Sequence, residues 1–331
     1  MRIEPVMSAL ADPTRLRIMR LLAHMELAVG ELAQVLGQSQ PRVSRHVAIL
    51  CDSGLAERRR EGSWVFLRQA ISASSARPLA SAVARMLAMA EEEDDAFAAR
   101  CSEDRRHLAA IRSGREKHAA EFFAKHAPEW DKLRALLGPA QKVEAALLKG
   151  LGSGELGALL DIGTGTGRIA ELLASRAEHV VALDRSPEML RLARAHLQAL
   201  PPEQWELVHG DFSALPFEAG TFDTVVLHQV LHYAHEPAFP LGEAARVCRP
   251  GGRVVVVDLA AHEREELRNR HAHVRLGFGD EQMLELLTES GFKPASPMVI
   301  PGKGLTTKIW IAARNDKAVP AEPAKRLVEA R

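Results

Sequence analysis

Residues 159–174, LLDIGTGTGRIAELLA, constrain what this chain can fold into more than any other stretch. A short apolar run (Leu159, Leu160, Ile162) carries Asp161 and leads into three alternating glycines, Gly163, Gly165 and Gly167. A helical pattern follows, with Ile169, Leu172 and Leu173. That order predicts a strand, a tight turn and a helix N-terminus. Glycines let the backbone turn sharply and let a ligand approach it without meeting a Cβ. The helix start offers open N–H groups and the positive end of the dipole, which suit a carboxylate or a phosphate. The same glycines also make a tight turn with no ligand, so the sequence downstream has to decide.

Downstream, strands and helices alternate, which predicts a parallel, doubly wound α/β sheet. An apolar strand, Val180–Leu183, ends in Asp184, 21 residues after Gly163. A carboxylate there offers two oxygens to the two hydroxyls of a ribose. A third strand, ELVHG, ends in Asp211 and Phe212, and a fourth, in FDTVVLHQVLHYA, places His228 and Gln229 at its carboxyl end. VCRPGGRVVVVDL supplies a turn and a fifth strand ending at Asp258, and the last strands are expected at Pro297–Ile300 and Thr307–Ala313. An open α/β sheet binds its ligand at the carboxyl ends of its strands, where these residues fall.

The glycine spacing is D-x-G-x-G-x-G, not the dinucleotide pattern G-x-G-x-x-G. Followed in order by LDRS, GDF, LHQVLHY and RPGG, it resembles the class I S-adenosylmethionine (SAM) methyltransferases over about residues 120–313. The resemblance implies a Rossmann-like, seven-stranded domain over 156–314 that binds SAM or S-adenosylhomocysteine (SAH). Asp161, Gly163, Thr164, Gly165 and Gly167 would carry the methionyl end. Asp184, followed by Arg185, would face the ribose. Met189 would pack on adenine, Asp211 would accept from its amino group, and Phe212 would pack on the ring. His228 would face the transferred methyl and is the candidate catalytic base. Phe122, Phe123, Trp130, Leu133 and Leu136 resemble the helical lead-in that caps this family's pocket, and equally suit plain interdomain packing.

The N-terminal 76 residues carry different signals. Asp12 is placed to cap a helix with Pro13 at its first position. VGELAQVLG reads as a short helix closed by Gly37, and PRVSRHVAILCDSG as a second with Val43, Val47 and Leu50 as its apolar stripe. The ribbon LAERRREGSWVFLRQA turns at Glu61–Ser63. Two helices across a tight turn plus a ribbon describe a winged helix. ADPTRLRIMRLL, ELAQVLGQSQPRVSRHVAIL and GLAERRREGSWVFLR resemble the ArsR family of dimeric winged-helix regulators. That resemblance implies binding to a double-stranded DNA operator. Ser39, Gln40, Arg42, Ser44, Arg45 and His46 would enter the major groove, and Arg58, Arg59, Arg60 and Ser63 of the wing would face phosphates or a minor groove. Metal-sensing members carry paired cysteines where this chain has Ala28 and Gly30, so no metal is expected there. Residues 1–76 hold ten arginines, no lysine and seven acids, a mild basic excess in a chain whose 43 basic and 43 acidic residues otherwise cancel.

Between the two lies a helical stretch, 77–155. A helix opened by Pro78 with Leu79, Val83 and Leu87 on one face is the candidate dimer helix, since this family pairs such a helix with its mate. The acidic run Glu91–Asp95 reads as a solvated face or a break, and a second helix is expected from about Ala96 to Lys125. GLGSGELG marks a boundary, and residues 315–331 read as a disordered tail. Three scattered cysteines and no membrane-length apolar run or signal-peptide core point to the cytoplasm without membrane contact, and the ArsR resemblance implies a homodimer.

Six histidines lie near the acceptor side: His228, His232, His235, His262, His271 and His273. His228 and His232 stand four apart, a spacing that lets two ligands share a helical face, but nothing completes a metal signature. LHQV stands where methyltransferases of base or glutamine nitrogens carry N-P-P-[YF], and Cys248 alone is too few for arsenite chemistry. Two functions fit these residues. One is an operator-binding regulator that senses SAM or SAH, with genes of the methionine and SAM cycle as its natural targets. The other is a small-molecule methyltransferase that controls its own operon. Because no acceptor-specific residue is recognisable, the first is favoured.

Overall fold

The computed structural model describes residues 2–23, 25–61, 64–70, 78–130 and 139–315. Ser63, residues 71–77, Leu133, Leu136 and the tail beyond Asn315 lie outside the described residues. The chain forms two units, one built from Met1–Ala119 with Glu263–Glu265 and one from Ala120–His262 and Glu266 onward. The helical stretch 77–155 is thus shared between them. Among the described residues, no helix is long and apolar enough to cross a membrane.

The first unit opens with α1 (Ile3–Leu10) and α2 (Pro13–Leu21). The Asp12 carboxylate caps α2 by accepting from the N–H groups of Thr14 (2.8 Å) and Arg15 (3.1 Å). After β1 (Leu27–Ala28) come α3 (Val29–Leu36) and α4 (Gln40–Asp52). Gly37 closes α3 at φ 62°, a left-handed turn suited to glycine. The wing is β2 (Ala56–Glu61) paired antiparallel with β3 (Trp64–Gln69), and β1 joins the far side of β3.

Helices α5 (Pro78–Glu93) and α6 (Asp95–His126) follow. The acidic run is therefore a break. Asp94 lies between the helices, and its carboxylate accepts from Phe97 N–H at 2.9 Å. Val83, Leu87 and Leu108 join Ile18, Leu32, Leu50 and Leu67 in one core. Two ion-pair sets tie α2 to these helices. Arg17 grips Asp104 with two hydrogen bonds (2.7 and 2.5 Å), and Glu91 accepts from both Arg20 and Arg105 at 2.6 Å.

In the second unit, α7 (Ala140–Gly150) precedes β4 (Gly157–Ile162), α8 (Arg168–Ala174), β5 (Ala177–Asp184) and α9 (Pro187–Leu197). Then come β6 (Trp205–His209), β7 (Phe222–His228), α10 (Ala238–Val247) and β8 (Cys248–Leu259). The chain continues through α11 (Glu266–His271), α12 (Asp280–Glu289), β9 (Phe292–Pro294), β10 (Met298–Pro301) and β11 (Thr306–Arg314). The sheet order is β10-β11-β8-β7-β4-β5-β6. Strands β4 to β8 run parallel, and β11 returns antiparallel beside β8.

Seven sheet positions hold eight strands, because β9 and β10 pair with successive halves of the same side of β11. The break between them falls at Ala295–Pro297, where Pro297 has no N–H for the ladder. Leu159, Leu160, Val225–Leu227 and Val254–Val257 are fully buried, as expected of central parallel strands covered on both faces. This buried platform fixes the loops at the strands' carboxyl ends.

Candidate functional site

The glycine turn leaves β4 and folds back on β5. Gly163 and Thr164 donate their N–H groups to Leu183 O at 2.7 and 2.9 Å. Gly165 N–H donates to Asp184 Oδ2 at 2.8 Å, and Thr164 Oγ1 donates to Asp161 Oδ2 at 2.6 Å. Asp161 is buried, so it braces the turn from beneath. The three glycines have φ of 69°, 56° and 83°, all left-handed. Each is required for a different reason. A Cβ at Gly163 would lie 2.2 Å from Val230 Cγ2, and one at Gly167 would lie 3.1 Å from Ala193. A Cβ at Gly165 meets nothing closer than Trp130 Nε1 at 3.5 Å. Gly165 is thus the one of the three where a Cβ makes only an ordinary contact, with the Trp130 side chain.

Asp184 ends β5. Its Oδ1 accepts from Ser186 N–H at 2.8 Å, while Oδ2 takes Gly165. Burial raises this carboxyl above the usual range, against the pull of its backbone hydrogen bonds from Ser186 and Gly165. Ser186 Oγ accepts from Met189 N–H at 3.2 Å and starts α9. Met189 is buried. Asp211 accepts from Ser213 N–H at 2.8 Å and stands 3.5 Å from an Arg185 guanidinium nitrogen. Phe212 is half-buried against the sheet core. His228 is the last residue of β7 and half-buried.

His228 and His232 do not share a helical face. The first ends a strand, and the second lies in a short 3-10 turn, Leu231–Tyr233, beyond Gln229. Gln229 has φ 54°, a left-handed conformation that costs a non-glycine residue on the order of 1 kcal/mol. What the sequence reading missed is the partner of His232. Its Nδ1 lies 2.7 Å from Asp258 Oδ1, the histidine just beyond β7 and the aspartate near the end of neighbouring β8, and both side chains are buried. The signals were there, a histidine after β7 and an aspartate one residue before the end of β8, but only strand adjacency joins them.

Among the described residues, no group of three or more His, Cys, Asp or Glu could hold a metal ion. Burial pushes the Cys248 thiol up to about 11, which keeps it a thiol at neutral pH.

In the first unit, α4 exposes Gln40, Arg42, Ser44 and Arg45 and buries Val43, Val47 and Leu50, with exposed Ser39 just before it. His46 points back toward α2, its Nδ1 3.6 Å from Asp12 Oδ1. On the wing, strand alternation puts Arg58 and Arg60 on one face and Arg59 on the other. Arg58 and Arg60 are exposed. Arg59 donates to Glu26 at 3.1 Å and lies over the Phe66 ring at 5.4 Å. It therefore braces the sheet that carries the wing.

With this geometry established, the family matches are direct. The model described as a bacterial regulatory protein, arsR family, matches residues 12–58. The model described as a methyltransferase domain matches residues 160–256. The chain joins an ArsR-family helix-turn-helix domain to a methyltransferase domain. An uncharacterized 37.1 kDa protein of a Streptomyces fradiae transposon is 33% identical over 177 residues, 49% of this chain and 50% of that protein. A demethylmenaquinone methyltransferase of Clavibacter sepedonicus is 38% identical over 102 residues, 31% of this chain and 41% of that enzyme. The chain spans about half the length of these curated relatives. The crystal structure of the N-methyltransferase NodS from Bradyrhizobium japonicum, in complex with SAH, is similar at 20% identity and a TM-score of 0.50. It covers 59% of this chain and 98% of that one, and it shows the fold alone.

Proposed function

We propose that this protein is an operator-binding transcriptional regulator whose methyltransferase domain binds SAM or SAH and sets the affinity for DNA. The observation that carries this reading is the turn at Gly165, where a Cβ would make no clash among the described residues, hydrogen-bonded to the Asp184 carboxylate at a strand's carboxyl end. A methionyl group would lie against Gly163–Gly167, and the ribose hydroxyls would donate to Asp184. Asp211 and Phe212 would meet the adenine. SAM brings an electrophilic methyl on a sulfonium, and SAH is the same molecule without it.

The exposed face of α4 suits base edges, where an arginine or glutamine pair discriminates by about 1–3 kcal/mol. Arg58, Arg60 and Ser63 of the wing would add phosphate contacts, which position without specifying. A homodimer is part of the proposal. Ile3, Met7, Met86 and Met89 on α1 and α5 are apolar and exposed, as a pairing face requires. Two such domains would read half-sites about one helical turn apart. The target genes would be those of methionine and SAM metabolism, and the working compartment the cytoplasm.

The test is calorimetric titration of the full-length protein with SAH and SAM, beside selection of bound DNA from a random library. Saturable binding of at least one of the two and enrichment of a two-fold symmetric site are expected. Asp184→Ala should abolish ligand binding and keep DNA binding in at least one ligand state. No binding of either molecule by the folded wild-type protein would end the sensor reading.

A further inference from the structure

The first turn of α2 meets two side chains from the turn and helix that present the recognition face. Gln38 Nε2 donates to Thr14 Oγ1 at 3.3 Å, and His46 Nδ1 stands 3.6 Å from Asp12 Oδ1. Neither side chain is fully matched. Gln38 Oε1 and His46 Nδ1 are buried with no hydrogen-bond partner among the described residues. A separation of 3.6 Å is too long for a hydrogen bond but close for two opposite charges. A buried ring nitrogen left in that position costs free energy unless a charge offsets it.

The Asp12 carboxylate determines where the ring keeps its proton. Burial alone would raise this carboxyl, but the Arg15 N–H, the charges of His46 and Arg15, and the Thr14 N–H outweigh it and hold it low, so it is ionised at neutral pH. An ionised carboxylate only accepts. A bare Nδ1 would set a lone pair against it, so the neutral ring carries its proton on Nδ1. The opposite nitrogen, Nε2, then holds a lone pair, which a phosphate oxygen repels. A second proton turns Nε2 into a donor and gives the ring a positive charge, anchored by Asp12 on one edge and open to an anion on the other.

The place of His46 on α4 suits a phosphate rather than a base edge. It follows Arg42 by four residues, about 40° around the helix. That puts it on the border between the exposed face and the buried stripe of Val43, Val47 and Leu50, with 13% of its side chain exposed. A helix lying in the major groove turns its central face to base edges and its flanks to the phosphate walls. No other charge takes the place of Asp12. Arg15, on α2, directs its guanidinium to the Ser8 and Ala9 carbonyls and lies 3.8 Å from Asp12 Oδ2. Arg42 and Arg45, on α4 itself, are exposed. Glu31 of α3 accepts from Ala28 N–H. The charges that α1 and β2 bring to α4, Arg2, Glu57 and Arg58, lie around Cys51 and Asp52 at its far end.

We propose that His46 is a phosphate-binding residue of the operator complex that acts only in its protonated form, with Asp12 as its positioning residue, so that operator binding takes up a proton at each subunit. The proposal rests on the operator reading of α4 and adds a proton to it. Because the complex holds that proton more tightly than the free protein, affinity for DNA rises as pH falls through the range where histidines titrate.

The site enriched from the random library is titrated with full-length protein by calorimetry near pH 7, in PIPES and in imidazole buffer, whose different ionisation heats count the protons taken up. Ligand-free and SAH-saturated protein are both measured. Uptake of about 0.5–1 proton per subunit is expected in the wild type. It should fall to near zero in His46→Gln, whose amide takes no proton, and drop in Asp12→Asn, which keeps an N-cap for α2. From pH 8 to pH 6, wild-type affinity should rise by up to about ten-fold per pH unit for each subunit, and the profile of His46→Gln should be flatter. At pH 6 the slope of log affinity against log salt should be shallower in His46→Gln by about 0.9 per subunit, the mark of a lost cationic phosphate contact. No proton uptake in the wild type, uptake that survives in His46→Gln, or an unchanged salt slope would overturn the proposal with the operator reading intact. A library that enriches no site would overturn the operator reading itself, and this proposal with it.

Discussion

Replacing the glycines of the turn one at a time separates backbone conformation, packing and ligand approach. At Gly163, alanine must adopt φ near 69° and place its methyl 2.2 Å from Val230 Cγ2. The left-handed conformation costs about 1–2 kcal/mol. Val230 is β-branched and cannot rotate aside, so overpacking adds about 1–3 kcal/mol. Gly163→Ala should therefore lose about 2–5 kcal/mol in urea unfolding of the methyltransferase unit. In a Val230→Ala background the same substitution should cost only the conformational part. A double-mutant cycle then yields a coupling of about 1–3 kcal/mol.

At Gly165 the φ is similar, 56°, but among the described residues a Cβ would meet only Trp130, at an ordinary contact distance of 3.5 Å. Gly165→Ala should cost about 1–2 kcal/mol of stability. It should also weaken SAH by about ten-fold or more, because the methyl stands where the ligand approaches. Urea melts and calorimetry on the same samples decide. Equal stability losses at the two positions would refute the Val230 contact. Wild-type SAH affinity in Gly165→Ala would refute the assignment of the turn to the ligand.

Asp104 is almost fully buried against Arg17, so Asp104→Ala should destabilise the winged-helix unit by about 3–5 kcal/mol, read as a lowered unfolding midpoint. Burial alone would raise the Glu91 carboxyl, but hydrogen bonds from Arg105 and Arg20 outweigh it and hold it below 4.5. A depressed carboxyl stabilises above its unfolded value and loses that contribution as pH falls through the folded one. Thermal midpoints should thus drop below about pH 4.5 in the wild type, with a shallower slope in Glu91→Gln. His273 works through the neutral form. Its folded value is depressed below 6.5, so the unfolded chain binds the extra proton and stability falls as pH drops below that value. The slope approaches about 1.4 kcal/mol per pH unit for one group, and His273→Phe should flatten it. A midpoint of the methyltransferase unit that does not change as pH falls below 6.5 would show that His273 is not buried in solution.

What could be read in the sequence was local. An apolar run into alternating glycines and a strand ending in Asp184 each declare themselves within a few residues, and the turn, the sheet edge and the winged-helix elements follow from such signals. What could not be read depends on which strands lie side by side. His232 and Asp258 are 26 residues apart and meet only because β7 and β8 are neighbours. The left-handed Gln229, which ends β7 and redirects the chain toward His232, carries no glycine to announce it. The three wing arginines look alike in sequence. Strand alternation and the Glu26 carboxylate turn Arg59 inward. Spacing put Leu79, Val83 and Leu87 on one face of the candidate dimer helix but could not say that Val83 and Leu87, with Leu108, have partners in the winged-helix core.

The most direct test is linkage between the two domains. Operator affinity of the full-length protein is measured by fluorescence anisotropy with no ligand, with saturating SAM and with saturating SAH. SAH affinity is then measured with and without operator. At least one ligand should change operator affinity by a factor of about ten or more, a coupling of about 1.4 kcal/mol, and if it is SAH, operator must change SAH affinity by the same factor. Operator affinity that stays the same at saturation with both ligands would contradict the sensor role.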